Sequence, residues 1–265
     1  MRPTSRHRAL ITGGSAGLGH ALAAGLAAHT SRPRPGTPAG AGWEVVITGR
    51  DRARLDAAAA ELGPRVTAVA GDVTDPGHRD HLAEVVADGL DLLVNNASTL
   101  GWSDGGTSPL LPVQELTSAV LRHVWETNVV APVALIRTVR PLLRSAGEKG
   151  GAAVIDITSD AAAEHYETWG AYAASKAALE HLTLTLAAED PDVRWYAVDP
   201  GDLRTQMHQD AFPGEDISDR PLPETVVPSF LALIDQRPPS GRYRAAELRA
   251  LVEVPGLGEQ MGKSA

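Results

Sequence analysis

Short apolar runs alternate with helically spaced segments along most of the chain, and that alternation narrows the folds open to it. Strand-like runs fall at residues 9–11, 45–47, 66–70, 92–94, 153–157 and 193–198. Helical spacing covers 18–28, 52–62, 78–87, a long region at about 113–145, and 171–188. Asp51 stands where it can cap the second of these helices. Strands separated by helices of this length predict βαβ units and a parallel sheet. Right-handed crossovers then place helices on both faces, giving an α/β, doubly wound architecture. The 265 residues fit one such domain, taken as 1–265, and no internal repeat divides them.

Composition removes several chemistries. With no cysteine, a thiol nucleophile, an iron–sulfur cluster and a cysteine zinc site are excluded. A net charge of -9 with no basic block argues against nucleic acid or an anionic membrane as partner. Arg2, Arg6 and Arg8 before the stretch 9–28 have the outline of a signal peptide, but Gly13, Gly14, Gly17, Gly19 and Gly25 break its apolar core. No stretch approaches the roughly 20 apolar residues of a membrane span. The expected location is the cytoplasm. Residues 31–42 read as a surface loop. Residues 204–223 lack clear periodicity and follow the sixth strand, where a substrate lid is expected and an uninvolved loop is the alternative.

Thr12-Gly13-Gly14-Ser15-Ala16-Gly17-Leu18-Gly19 lies between the first strand and first helix. Glycines there permit a tight turn and let backbone N–H groups approach a pyrophosphate at a helix N-terminus. The alternative is a plain strand-to-helix turn. Residues 13–17 also spell G-x-S-x-G, the nucleophile elbow of α/β-hydrolases, with Ser15 as nucleophile. Position argues against this remote reading, because that elbow follows several strands and only one short strand precedes Ser15.

Tyr172 and Lys176 are four residues apart and share one helix face. With 4 Tyr and 3 Lys in the chain, chance placement predicts about 0.05 such pairs. A nearby ammonium should lower the phenol from about 10 and make Tyr172 a general acid/base. An ordinary aromatic–lysine helix pair is the alternative. Ser159 lies just after the fifth strand, where its hydroxyl could share a carbonyl oxygen with Tyr172. Asn128 sits in an apolar helical stretch, where a buried amide is often a core hydrogen-bond partner.

Together these residues resemble the short-chain dehydrogenases/reductases over roughly residues 8–206. Thr12, Gly13, Gly17, Leu18 and Gly19 look like the family's T-G-x-x-x-G-x-G loop, in which Ser15 also meets cofactor. Asp72-Val73 resembles its pair beside the adenine, and Asn95-Asn96-Ala97-Ser98 its N-N-A-G element with Ser98 in place of glycine. Asn128, Ser159, Tyr172 and Lys176 match its four catalytic positions; Pro200, Gly201 and Thr205 match its P-G motif and nicotinamide threonine. The resemblance implies a Rossmann-type fold and hydride transfer between a nicotinamide and a carbonyl or secondary alcohol. Tyr172 would move the proton, Ser159 would hold the oxygen, Lys176 would bond the ribose, and Asn128 would hold a water behind Lys176. A nucleotide-binding sensor on the same fold is the alternative; the complete set of four argues against it.

Gly49 falls where an NAD-selecting acid is expected, and Arg50 follows it. Arg suits a 2′-phosphate, so NADP(H) is the expected cofactor and NAD(H) the alternative, with Asp51 read as a helix cap. Arg32 and Arg34 could also reach that phosphate; solvated residues are the simpler reading. His78 and His81 are read as surface residues, not metal ligands. Ser98, Trp102, Asp160 and Tyr166, with Trp169, Met207 and Phe212, are candidate walls for a small apolar or ring-bearing substrate, and Asp160 could meet a polar group. The approach to a last strand at Gly241-Arg242-Tyr243 lacks the family's closing glycine pair, and residues 248–265 form a divergent tail. A homodimer through the helices around Asn128 and Tyr172 is expected.

Overall fold

The computed structural model describes residues 6–31, 41–102, 108–143 and 151–250. Arg32, Arg34 and the tail beyond residue 250 lie outside the described residues. The expected apolar runs are all strands, and alternation along them builds two cores. In β1 (Arg6–Thr12), Ala9 and Ile11 face one side and Leu10 the other. The same division continues through β2 (Gly42–Gly49), β3 (Val66–Ala70) and β4 (Leu92–Asn95), and through β5 (Ala153–Ile157) and β6 (Arg194–Asp199). A seventh strand, β7 (Gly241–Arg244), completes a sheet of order β3-β2-β1-β4-β5-β6-β7. All six pairings are parallel, so each strand must return through a crossover.

Those crossovers cover both faces, as expected. Helices α1 (Gly17–Ala28) and α2 (Arg52–Leu62) pack on the Ile11 side. Helix α3 (Pro76–Val85) packs on the Leu10 side. The Asp51 carboxylate accepts from Arg54 N–H at 3.1 Å, which fixes the start of α2 where its sequence placed it.

The described part of the long helical region, residues 113–143, is not one helix. After a 3-10 turn at Val113–Glu115, α4 spans Ser118–Trp125, a π-helical turn spans Glu126–Val130, and α5 spans Ala131–Val139. Pro132 is the physical reason. It has no N–H to give the carbonyl four residues earlier, at Asn128, and its ring crowds that carbonyl. The wider turn relieves the conflict. Helix α6 (Gly170–Glu189) follows β5. The segment 204–223 contains a short helix, α7 (Gln206–Ala211), and α8 (Val227–Gln236) then packs on α1. No helix among the described residues is long and apolar enough to cross a membrane.

Candidate active site

The sheet order reverses between β1 and β4, and the carboxyl ends of those strands frame a cleft of about 1280 Å³. Thr12 ties the two ends together: its hydroxyl oxygen accepts from Asn96 N–H at 3.0 Å and Ala97 N–H at 2.9 Å. The Asn96 amide returns two bonds, to Thr12 O at 2.9 Å and Gly13 O at 3.1 Å. That closeness leaves no room for a side chain at Gly13, which has φ +68°; a Cβ there would lie 2.8 Å from Asn96 Nδ2. At Gly19 a Cβ would lie 2.3 Å from Gly13 O. Helix α1 therefore starts beside the cleft with bare backbone. Ala16 supplies no side-chain cap, and the first turn carries no acid. Free N–H groups at a helix N-terminus suit a pyrophosphate, so the turn fits a dinucleotide.

Ser15 points toward the end of β2, where a Cβ on Gly49 would lie 3.5 Å from its Oγ. No histidine is hydrogen-bonded to Ser15 among the described residues, so the hydrolase arrangement is not assembled there. Arg50 is exposed and lines the cleft, while Asp51 is occupied in capping α2. Burial alone would raise the Asp72 carboxyl, but two bonds from Thr74 and the charges of Arg50 and His78 hold it below the usual range.

His78 is not a surface residue. It is buried, with Nε2 2.7 Å from Thr48 Oγ1. Gly71 makes the space: a Cβ there would lie 2.1 Å from the ring. Burial lowers the His78 pKa from its ordinary value. His81 is exposed and faces Glu84 at 3.3 Å. No group of three metal-ligating side chains occurs among the described residues.

The end of β5 and the first turns of α6 form the opposite wall. Lys176 is buried, and its Nζ donates to Ile157 O at 2.8 Å and lies 5.5 Å from the Tyr172 ring centroid. The expected lowering of the Tyr172 pKa does not occur. Burial dominates and drives the phenol well above its ordinary value, against a hydrogen bond with Ser159. Burial likewise lowers Lys176 to about 8, opposed by the charge of Asp156. Asp156 is itself buried, accepting from Asn95 Nδ2 and Thr183 Oγ1, both at 2.7 Å.

Asn128 sits behind the cleft, and all four hydrogen-bonding positions of its side chain are taken. Oδ1 accepts from Ser98 Oγ at 3.1 Å and Thr99 N–H at 2.8 Å. Nδ2 donates to Thr99 O at 2.9 Å and Ser175 Oγ at 3.0 Å. The side chain is thus a tie between the β4 loop and α6, which leaves the Asn128 carbonyl, without a helical partner at Pro132, as the group to hold the expected water. Arg242 on β7 makes a second tie. It donates from Nε to Glu180 at 3.0 Å and from Nη2 to Ser159 O at 3.4 Å, so the last strand holds the backbone of Ser159.

Thr12, Gly19 and Asn128 stand behind the surface of the cleft; every other residue singled out from sequence as catalytic or cofactor-binding lines it. The seven candidate wall residues line it as well. Thr205 Cγ2 would lie 3.3 Å from a Cβ on Gly17, which brings the start of the 204–223 segment against the glycine turn. Trp169 is the hub of the substrate end, with ring centroids 5.7 Å from Tyr172 and 6.0 Å from Phe212. Sequence reading missed Arg122, His123, His208 and Arg220, which also reach the cleft. Trp102 stacks on His123 at 4.7 Å. No spacing signal marks these four, because they belong to α4 and to the segment after β6.

Comparison with known proteins agrees with this geometry. The family described as short chain dehydrogenase matches residues 7–216. An uncharacterized oxidoreductase of Saccharomyces cerevisiae is 31% identical over 169 residues, 62% of this chain and 62% of that protein's length. Mouse sepiapterin reductase is 33% identical over 213 residues, 76% of each chain. A structure from Escherichia coli CFT073, described as a short chain dehydrogenase complexed with NADPH, superposes with a TM-score of 0.76 at 26% identity, covering 92% of this chain and 99% of that one. With a nucleotide turn at the sheet's reversal point and a match over most of its length, the chain belongs to the short chain dehydrogenase family of oxidoreductases.

Proposed function

We propose that the protein is an NADP(H)-dependent oxidoreductase that interconverts a carbonyl and a secondary alcohol on a small apolar or ring-bearing substrate. The observation that carries this reading is the placement of Ser159, Tyr172 and Lys176 on one wall of a cleft that ends in the uncapped turn at α1. The nicotinamide, when bound, supplies or accepts the hydride. The chain's own residues do the rest. The glycine turn and the N-terminus of α1 hold the pyrophosphate, with Asp72, Val73, Asn96, Ala97, Pro200, Gly201 and Thr205 along the remainder of the cofactor. Ser159 Oγ orients the carbonyl oxygen, and Tyr172 Oη gives it a proton. Burial holds Tyr172 in its protonated form, in which it can give a proton to a carbonyl oxygen. Lys176 beside it compensates the phenolate left after transfer.

Arg50 supports NADP(H), as does the NADPH complex of the E. coli relative. Arg50→Ala should weaken NADPH binding at least tenfold and NADH binding little, measured by fluorescence titration; equal losses refute the phosphate role. The segment 204–223 is proposed as the substrate lid, since Met207, Phe212 and Arg220 line the cleft. Exposed Leu121, Trp125 and Val130, with Leu182 and Leu184, support a homodimer through the helices from α4 to α6, which light scattering tests. For the reaction itself, Tyr172→Phe should abolish NADPH-dependent ketone reduction and leave NADPH binding within threefold. Full turnover by that variant would sink the mechanism.

A further inference from the structure

We infer that Asp160 is a specificity residue that selects carbonyl substrates bearing a positively charged nitrogen one or two carbons from the carbonyl. The inference rests on the carbonyl–alcohol reading of the site.

Asp160 directly follows Ser159 and lines the cleft. Its Oδ1 is fully engaged, accepting from Ser159 Oγ at 2.9 Å and from Ala161 N–H at 2.8 Å. Oδ2 accepts one bond, from Tyr166 Oη at 2.8 Å. A carboxylate oxygen has room for two, so Oδ2 keeps an open position. Tyr166 is 47% exposed, so that position lies at the open side of the site. Ser159 would itself hold the carbonyl oxygen at about 2.7 Å, so Oδ1 lies at most about 5–6 Å from that oxygen, with Oδ2 on the same carboxylate beside it. That span fits a cation on the α or β carbon.

The surroundings match an ammonium. Tyr166, Trp169 and Tyr172 form a row of rings, with centroids 6.3 Å and then 5.7 Å apart, running from Oδ2 to the reacting hydroxyl. A carboxylate with aromatic faces beside it attracts a cation through its charge and through the ring quadrupoles. A neutral substrate would strip water from the carboxylate and return nothing, and an anionic one would be repelled. Among the described residues, no arginine is hydrogen-bonded to Asp160. Arg244 acts on Asp160 only through its charge and lies 3.8 Å from Asp199, while Arg242 is committed to Glu180 and the Ser159 carbonyl; neither lines the cleft. The negative charge of Asp160 also opposes formation of the Tyr172 phenolate. A cation at Oδ2 cancels that opposition and loosens the hold of Asp160 on the single Ser159 proton.

The test uses two ketones of nearly the same shape: phenacyltrimethylammonium and its carbon isostere, 3,3-dimethyl-1-phenylbutan-1-one. Their kcat/KM values with NADPH are compared in the wild type and in Asp160→Asn. The cation-to-neutral ratio should fall at least tenfold on substitution, whatever the change in the neutral ketone's own value. Intrinsic ketone reactivity cancels in this double ratio. An unchanged ratio overturns the inference and leaves the carbonyl reading intact. If the wild type binds NADPH but reduces neither ketone, the carbonyl reading itself falls and takes this inference with it. A second measurement needs no variant. Benzyltrimethylammonium should inhibit wild-type reduction of the neutral ketone competitively, at least tenfold more strongly than neopentylbenzene; equal inhibition overturns the assignment.

Discussion

Replacing Asn128 by alanine should loosen the fold, and the structure says by how much. The side chain is 1% exposed and makes four hydrogen bonds. Two partners recover easily. Ser98 can turn its hydroxyl, and Ser175 keeps its donation to Tyr172 O at 2.6 Å. The Thr99 N–H and C=O cannot recover, because both are backbone groups. Leaving a buried polar group unpaired costs about 1–3 kcal/mol. Thr99 is half-buried, so the lower end applies to each group, and Asn128→Ala should lose about 2–3 kcal/mol. For a domain of this size that corresponds to roughly 5–10 °C in Tm. Calorimetry and urea unfolding followed by circular dichroism would measure it. Ser175→Ala, which removes one of the four bonds, should lose only about 1 kcal/mol. A loss below about 1 kcal/mol for Asn128→Ala would show that the amide is not the tie described here.

Two further outcomes follow from burial. Lys176 is held at about 8, and the chain has only 3 Lys, so protein labelled with carbon-13 in lysine should give one signal titrating near pH 8 without ligand; three signals all titrating near 10.5 would contradict the buried placement. His78 is lowered below 6.5, so the unfolded chain takes up a proton there before the folded one does. Its contribution to stability is complete above pH 6.5 and is lost as pH falls below it, so the drop in urea midpoint from pH 7.5 to 5.5 should be smaller in His78→Gln; identical drops would refute the assignment.

What could be read beforehand was whatever local residues decide. Helix α2 begins after Asp51 and ends at Gly63, and both signals lie within the segment itself. Strand β5 is an apolar run interrupted only by Asp156, preceded by Gly151-Ala152 and followed by Thr158-Ser159, and its bounds are those read from sequence. What escaped depends on distant neighbours. Strand β7 has almost no apolar content and is a strand because β6 offers it an edge. The depth of His78 is set by Gly71, seven residues earlier and just past the end of β3. The π-helical turn does not alter the apolar pattern of 118–139, and only Pro132 hints at it. For Tyr172, spacing revealed the nearby cation but not the desolvation that outweighs it, because burial is a property of the closed cleft. The glycine turn was legible because backbone geometry demands glycine there, whereas other residues that line the cleft, such as Arg122 and Arg220, obey no comparable rule.

The bond from Arg242 to the Ser159 carbonyl also has a bearing on synthesis. A chain made from its N-terminus produces the glycine turn first and β7 more than eighty residues after Ser159. Until β7 docks on β6, Glu180 lacks its guanidinium partner and the backbone of Ser159 lacks its brace. The nucleotide half can therefore be shaped while the reactive half is still unset. The brace behind Ser159 is thus supplied by a strand made long after the residue it holds.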